Sequence, residues 1–458
     1  MGRNILADRA VHVVGIGLHR YQAASETPFV QLGLTAVRDA LADAGIGWPS
    51  VEAAFVGSAL LGMAPGRVML SRLGATGLAI QQVENASASG STAVAMAALE
   101  VASGRSDVVL AMGVDKAEGW RVAPNSAGLG TYEGGTVVPF THFALLADDY
   151  MHTYGTTVEQ VARVAYKNHA NGARNPFAQR QKARTMDEIL ADPISGSFTR
   201  LQCCPVGEGA AAVILASAEA VARFGLDPAR CPRITASVTR SEAAYPPGTP
   251  IDATLTGDTC RLAFEQAGVA PTDLDVIEVH DAFSIEELLY LEAMGVCGPG
   301  EAGPLTEAGT FDIGGRVAVS PSGGLLAMGH PLGPTGCGQV AEVTRQLRGE
   351  AGDRQQPGAR LGLTHMVGIG AVCVVHILQP APERTRRLTD ADRSGPAAHA
   401  IGASGAHRDR DPPAGWVPIA SGSYPVKGVP RSGWEQRLQL DGTEPDHARA
   451  AQYTRYES

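Results

Sequence analysis

Residues 40–52 read ALADAGIGWPSVE, and residues 263–275 read AFEQAGVAPTDLD. Both predict a helix that ends at Ala-Gly, then a short loop, an acidic residue and an apolar strand. The strand is Ala53–Gly57 in the first case and Val276–His280 in the second. Gly45 and Gly268 fall at the position just past a helix end, where a positive φ is needed and glycine supplies it. The chain repeats itself at an offset of 223 residues, and the segments beyond the two stretches run in parallel. After the first come Asn85-Ala86-Ser87-Ala88-Ser89-Gly90-Ser91, an Ala-rich helix to about Gly104 and the apolar strand Val108–Gly113. After the second come Gly329-His330-Pro331-Leu332-Gly333-Pro334-Thr335-Gly336, a helix to about Arg348 and strand-like runs between Leu361 and Leu378. Strands alternating with helices imply α/β layers. Two stacked copies predict an α/β/α/β/α body of five layers, with Ser87 and His330 at equivalent places, each at the N-terminus of a central helix.

The chain divides into three zones. Residues 1–240 form an N-terminal half that includes a covering segment over about 118–193. Residues 245–378 form a C-terminal half. Residues 379–458 are rich in Pro, Gly, Arg and Asp, with sparse and aperiodic apolar residues. They predict a largely disordered or loosely docked low-complexity tail, with Trp416 and Trp434 as its best anchors. A chain of 458 residues is too long for one compact core. Its net charge of -10 leaves no basic stripe for a nucleic acid. The seven cysteines are scattered without a CxxC pair, so neither a zinc site nor a disulfide framework is signalled, and a reducing compartment fits. No apolar run reaches a membrane span, and the first residues lack the apolar stretch of a secretory signal. A cytoplasmic protein that uses no metal is the expectation.

The chemistry-bearing residues cluster at the paired helix ends. A small-residue cluster such as Asn85–Ser91 serves either tight helix packing or the capture of an anion or oxyanion by free N–H groups and the helix dipole. His330 lies between Gly329 and Pro331, which fix the backbone and let a ligand approach closely. His280 ends an apolar strand, where sites form in α/β layers. Asp281, directly after it, reads as a helix N-cap.

These stretches carry a family resemblance. His280-Asp281-Ala282-Phe283 resembles the HDCF loop of sterol-carrier-protein-type (lipid-transfer-protein-like) thiolases. Ser320-Pro321-Ser322-Gly323-Gly324 with Gly329-His330-Pro331-Leu332-Gly333 resembles their NPSGG and GHPLG signatures, with Ser320 in place of Asn. Tyr154–Thr157, Asn168-His169, Asn175–Ala178 and Cys204–Ala212 match as well, so the likeness runs over about residues 10–378. It implies a duplicated thiolase fold, a homodimer for which the strand Val108–Gly113 offers an edge, and four catalytic elements. These are a nucleophilic cysteine at the central helix end, a second cysteine that shuttles a proton, and two histidines that activate the nucleophile and build oxyanion holes. It also implies substrate-binding roles for Gly329, Gly368, Gly370, Ser322 and Gly323.

This chain keeps the histidines as His280 and His330, but the nucleophile position is Ser87 and the second position is Ala282. The last Gly-rich loop, His365-Met366-Val367-Gly368-Ile369-Gly370, has no cysteine either. An alcohol ionises far less readily than a thiol, so Ser87 needs a general base, and His330 is the candidate. Tyr245, His142 and His365 are candidates for the missing shuttle, with a structural role the favoured reading of the last two. The expected function is acyl transfer from acyl-CoA or a carrier-bound thioester, with no cofactor beyond coenzyme A as the acyl carrier. Two alternatives stand beside it. One is retro-aldol cleavage of a β-hydroxyacyl-CoA with an OB-fold, zinc-ribbon partner protein. The other is a non-catalytic subunit.

Overall fold

The computed structural model describes residues 4–117, 139–246 and 249–381. The tail from residue 382 onward and residues 118–138 of the covering segment lie outside them. In the first half the chain forms β1 (Val11–Gln22), α1 (Phe29–Ala44), β2 (Ala53–Gly57), β3 (Ala79–Val83), α2 (Ser89–Ala102), β4 (Val108–Asp115), α3 (Pro139–Tyr154), α4 (Val158–Ala173) and β5 (Glu208–Ser217). The second half contributes β6 (Arg233–Ser241), α5 (Ile251–Ala267), β7 (Val276–Glu278), α6 (Ser284–Ala293), β8 (Ala318–Val319), α7 (Leu332–Arg348), β9 (Gly362–Gly368) and β10 (Val372–Gln379).

The strand order makes the duplication visible. Five strands run β3-β2-β4-β5-β1 and five run β8-β7-β9-β10-β6. In both sets the first three strands are parallel, the fourth runs antiparallel to both its neighbours, and the fifth has the direction of the first three. The sets meet where β1 pairs with β6 through Val11↔Ile234 and His12↔Arg233. Gly45 and Gly268 end α1 and α5 at φ 66 and 70, as the repeat requires.

Packing gives the layers. The outer helix α1 lies on β1 and β5, and its repeat mate α5 lies on β6 and β10. Each outer layer has its own core, built on Leu32, Val37, Val56, Leu110 and Ile214 in one half and on Leu255, Phe264, Ile277 and Val375 in the other. The central helices α2 and α7 pack on each other and on strands of both five-stranded sets. Their shared core includes Val13, Val94, Val101, Leu215, Val340 and Val343. The Ala-rich α2 packs its small residues between the two sets of strands, while Met96 and Leu99 on its remaining face are exposed. Where α7 enters, backbone meets backbone: a Cβ on Gly90 would lie 2.3 Å from the Gly333 carbonyl oxygen, and one on Gly113 would lie 2.1 Å from it.

The strand Val108–Gly113, expected as a dimer edge, is interior. It belongs to β4, which pairs with β2 on one side and β5 on the other. The outermost strand of that half is β3, whose residues are largely exposed. Among the described residues no helix is long and apolar enough to cross a membrane.

Candidate active site

Ser87 sits in the tight turn Ala86–Ala88 that leads into α2. The Ser89 hydroxyl locks this turn by donating to the Ala86 carbonyl (2.6 Å) and accepting from the Asn85 N–H (2.9 Å). Ala86 is held in the left-handed region at φ 49, a conformation that costs a non-glycine residue about 1–2 kcal/mol. Such strain is stored where a side chain has to be presented in a fixed direction. Ser320 and Ile369, in loops nearby in the fold, share the left-handed conformation at φ 51 each.

His330 comes to Ser87 from the other half. The Ser87 Oγ lies 3.0 Å from His330 Nε2, and His330 Nδ1 lies 3.1 Å from the Thr335 Oγ1. Thr335 donates its single hydroxyl proton to the Pro331 carbonyl at 2.6 Å. Its oxygen can therefore only accept from His330, which puts the ring proton on Nδ1 and leaves a lone pair on Nε2. Ser87 donates to that lone pair. Burial, and to a lesser degree the neighbouring His280, hold His330 well below the ordinary imidazole range, so it is a neutral base at pH 7. Sequence reasoning found both ends of this relay and missed Thr335, whose part depends on how the turn after Pro331 folds.

The ring of His280 stands edge-on to that of His330, with centroids 5.3 Å apart. Its Nδ1 lies 3.2 Å from Glu286 Oε1, and its buried Nε2 has no partner. Glu286 is itself fixed by the Phe283 N–H (2.8 Å) and the Tyr290 hydroxyl (3.0 Å). A hydrogen bond to a carboxylate keeps the proton on Nδ1 and leaves Nε2 available to another partner. Phe283, before α6, has no side-chain oxygen, so no capping-box pattern marks Glu286 in the sequence.

Asp281 does not cap α6. It is fully buried and accepts from the Leu325 N–H (2.7 Å), in the first turn of the short helix Gly324–Ala327, and from Asn168 Nδ2 (2.5 Å). Lys167, also on α4, pairs with Glu287 at 3.1 Å. This buried polar network ties α4 to the His280 loop. At the other helix end Asp115 accepts from the Gly333 N–H at 2.6 Å. The dipole of α7 is thus answered internally by Asp115.

The remaining candidates divide by position. Gly368 packs against the Ser87 turn, where a Cβ would lie 2.3 Å from the Asn85 carbonyl oxygen. Gly370, at φ 69, faces the Asp252 carboxylate, and Gly329, at φ 108, lets the chain pass Gln179. Ser322 is turned to the buried Glu278, which it meets through its N–H (2.9 Å) and its hydroxyl (2.7 Å). Burial pushes that carboxyl up to about 8. Gly323 packs on Gly172 of α4. The Ser320 hydroxyl is buried without a partner. His365 is fully buried: its Nδ1 receives the His280 N–H at 3.4 Å and its Nε2 lies 3.0 Å from the Thr256 hydroxyl. His142 is exposed on α3 with its ring against Phe143. Tyr245 donates to Asp258 at 3.2 Å.

Residues 16–190 match the family described as thiolase, N-terminal domain, and residues 249–379 match the thiolase C-terminal domain-like family. This chain belongs to the thiolase family. It is 38% identical over 388 residues to sterol carrier protein 2 of Rattus norvegicus, an alignment that covers 80% of this chain and 71% of that protein. It is 37% identical over 384 residues to an acetyl-CoA acetyltransferase of Methanothermobacter thermautotrophicus, covering 81% and 99%. Among solved structures, the Ltp2-ChsH2(DUF35) aldolase superposes with a TM-score of 0.70 at 25% identity, covering 82% of this chain and 98% of that one. The thiolase fold and membership of a family of enzymes are therefore established.

Proposed function

We propose that this thiolase-family protein is a cytoplasmic acyltransferase that receives an acyl group from an acyl-CoA or carrier-bound thioester on Ser87. The observation that carries the reading is the Ser87–His330–Thr335 relay, with hydrogen bonds of 3.0 and 3.1 Å. His330 Nε2 takes the Oγ proton as Oγ attacks the thioester carbonyl. The tetrahedral intermediate collapses as the C–S bond breaks, and the thiol leaves with the proton returned by His330. The end of α2, with His280 opposite, is placed to meet the developing oxyanion. Coenzyme A enters as the carrier of the acyl group. A homodimer formed along the exposed strand β3 fits the same reading.

The test is intact-protein mass spectrometry after incubation with acyl-CoA. An adduct of one acyl group is expected on the wild type and none on Ser87→Ala. Turnover of thioester with no adduct on Ser87 would overturn the reading.

A second reading is retro-aldol cleavage of a β-hydroxyacyl thioester together with an OB-fold partner. It is favoured by the superposition on the Ltp2-ChsH2(DUF35) aldolase and by Ala282, which has no proton to exchange. Its signature is release of an aldehyde or ketone without an acyl adduct.

A further inference from the structure

Ala282 leaves the carbon chemistry of a thioester without an acid or base at the position the resemblance marks for one. The polar groups around the cleft supply another. Asp252 lies in the first turn of α5 and is half-buried. Its Oδ1 is 2.6 Å from where a Cβ on Gly370 would stand. The loop Gly368–Gly370 therefore has the Ser87 turn against one end and the Asp252 carboxylate against the other. Among the described residues no group donates a hydrogen bond to Asp252. The ionisable groups that face it are Glu286 on α6, His142 on α3, His280 on its loop and Glu242 after β6. Tyr290 on α6 also feels its charge. A second and independent observation points the same way: His280 Nε2, in a side chain more than nine-tenths buried, has no partner in the protein.

We propose that Asp252 is the carboxylate that removes and returns the proton on the carbon next to a bound thioester carbonyl. This rests on the reading of the cleft as a thioester site. The Cα–H bond breaks, its electron pair becomes the C=C bond of the enolate, and the proton resides on Asp252. The charge moves to the thioester oxygen, for which the unpartnered His280 Nε2 is the nearest available group, while Glu286 holds Nδ1. Return of a proton from Asp252, after exchange with solvent, re-forms the C–H bond, and no other reactant is consumed. Carbon–carbon bond formation uses the removal of this proton, and retro-aldol cleavage uses its delivery to the enolate carbon. Burial, chiefly, and the charge of Glu286 raise the Asp252 carboxyl above the usual range, which brings it nearer to a group that both takes and gives a proton at neutral pH.

The experiment is exchange of the methyl hydrogens of acetyl-CoA in deuterium oxide, read by mass spectrometry of the recovered thioester, with Ser87 acylation measured on the same samples. Wild-type protein should incorporate deuterium. Asp252→Asn should lose at least 50-fold of the rate at an unchanged melting temperature, and Asp252→Glu should regain part of it. Exchange by Asp252→Asn within threefold of wild type overturns the proposal. So does exchange that survives in Asp252→Asn and vanishes in His280→Gln, which assigns the base to His280. Wild-type protein that acylates Ser87 but exchanges nothing overturns it and leaves the acyl-enzyme reading standing. Exchange that depends on Asp252 with no adduct on Ser87 supports it and removes the acyl-enzyme.

Discussion

Thr335 gives its one hydroxyl proton to the Pro331 carbonyl and so has only lone pairs to offer His330 Nδ1. A valine there keeps the shape of the side chain and removes the acceptor. His330 then loses the bond that selects its tautomer, and the Nε2 lone pair that Ser87 needs is no longer favoured. The loss of one neutral hydrogen bond of about 1 kcal/mol predicts a drop of roughly fivefold in the acylation rate for Thr335→Val, with Thr335→Ser restoring it. Single-turnover kinetics should show the change in the chemical step and not in thioester binding. A fall in binding alone would mean that Thr335 acts on the pocket and not on the base. Burial also holds His330 below the usual imidazole range. It stays unprotonated and competent as pH falls through about 6.5, the ordinary imidazole value, so the wild-type rate should show no inflection there. At this scale the meeting of Ser87, His280 and His330 was legible, because all three stand in recognisable stretches of sequence. Thr335, Glu286 and Asp252 were not, because each acts through a contact that only the folded loops create.

The elements carry a different constraint. Ser87 and His330 come from two halves of the chain, so the distance between the Ser87 turn and the His330 loop is set by how closely α2 and α7 approach. Gly90 is the contact that decides it. A methyl group there would lie 2.3 Å from the Gly333 carbonyl oxygen and 3.1 Å from the Cys337 nitrogen. Both are backbone atoms and cannot rotate away. Gly90→Ala should therefore destabilise the protein by about 2 kcal/mol or more, as overpacking of a rigid core does, and should slow Ser87 acylation by moving the helix ends apart. Denaturant unfolding checks the first part and the adduct assay the second. Wild-type stability in this variant would mean that the layers can separate without cost. The repeat around residues 40–52 and 263–275 announced paired elements, and the helix ends at Gly45 and Gly268 came with it. The lateral order of the strands did not. Val108–Gly113 is apolar because both its neighbours and both its faces are protein, and hydrophobicity alone does not tell such a strand from an edge that a partner covers.

Across the whole molecule the buried ionisable groups make stability depend on pH in two opposing ways. His376 on β10 joins the second sheet to the central layer, with Nδ1 3.1 Å from the Ser237 hydroxyl and Nε2 3.1 Å from the Ser91 carbonyl. The carbonyl can only accept, so Nε2 carries the proton and Nδ1 accepts from Ser237. The ring is neutral, and burial lowers its pKa to about 4. Between the unfolded value of about 6.5 and 4 the unfolded chain binds the extra proton and the folded one does not, so this contribution is full above pH 6.5 and is lost as pH falls. At pH 5 the loss is about 2 kcal/mol, from roughly 1.5 pKa units at 1.36 kcal/mol each. Glu278 works in the other direction. Its carboxyl, raised to about 8 by burial and by Glu342, stays protonated in the fold where the unfolded chain has ionised, which costs more stability as pH rises from about 4.5 to 8. The two trends offset each other, and a flat wild-type profile by itself would reveal neither. His376→Gln separates them, because an amide can donate to Ser91 and accept from Ser237 but does not titrate. Between pH 8 and pH 5 this variant should lose about 2 kcal/mol less stability than wild type, measured by denaturant unfolding at both pH values. Equal losses in the two proteins would show that His376 is protonated in the fold and that its bond to Ser91 does not require a neutral ring.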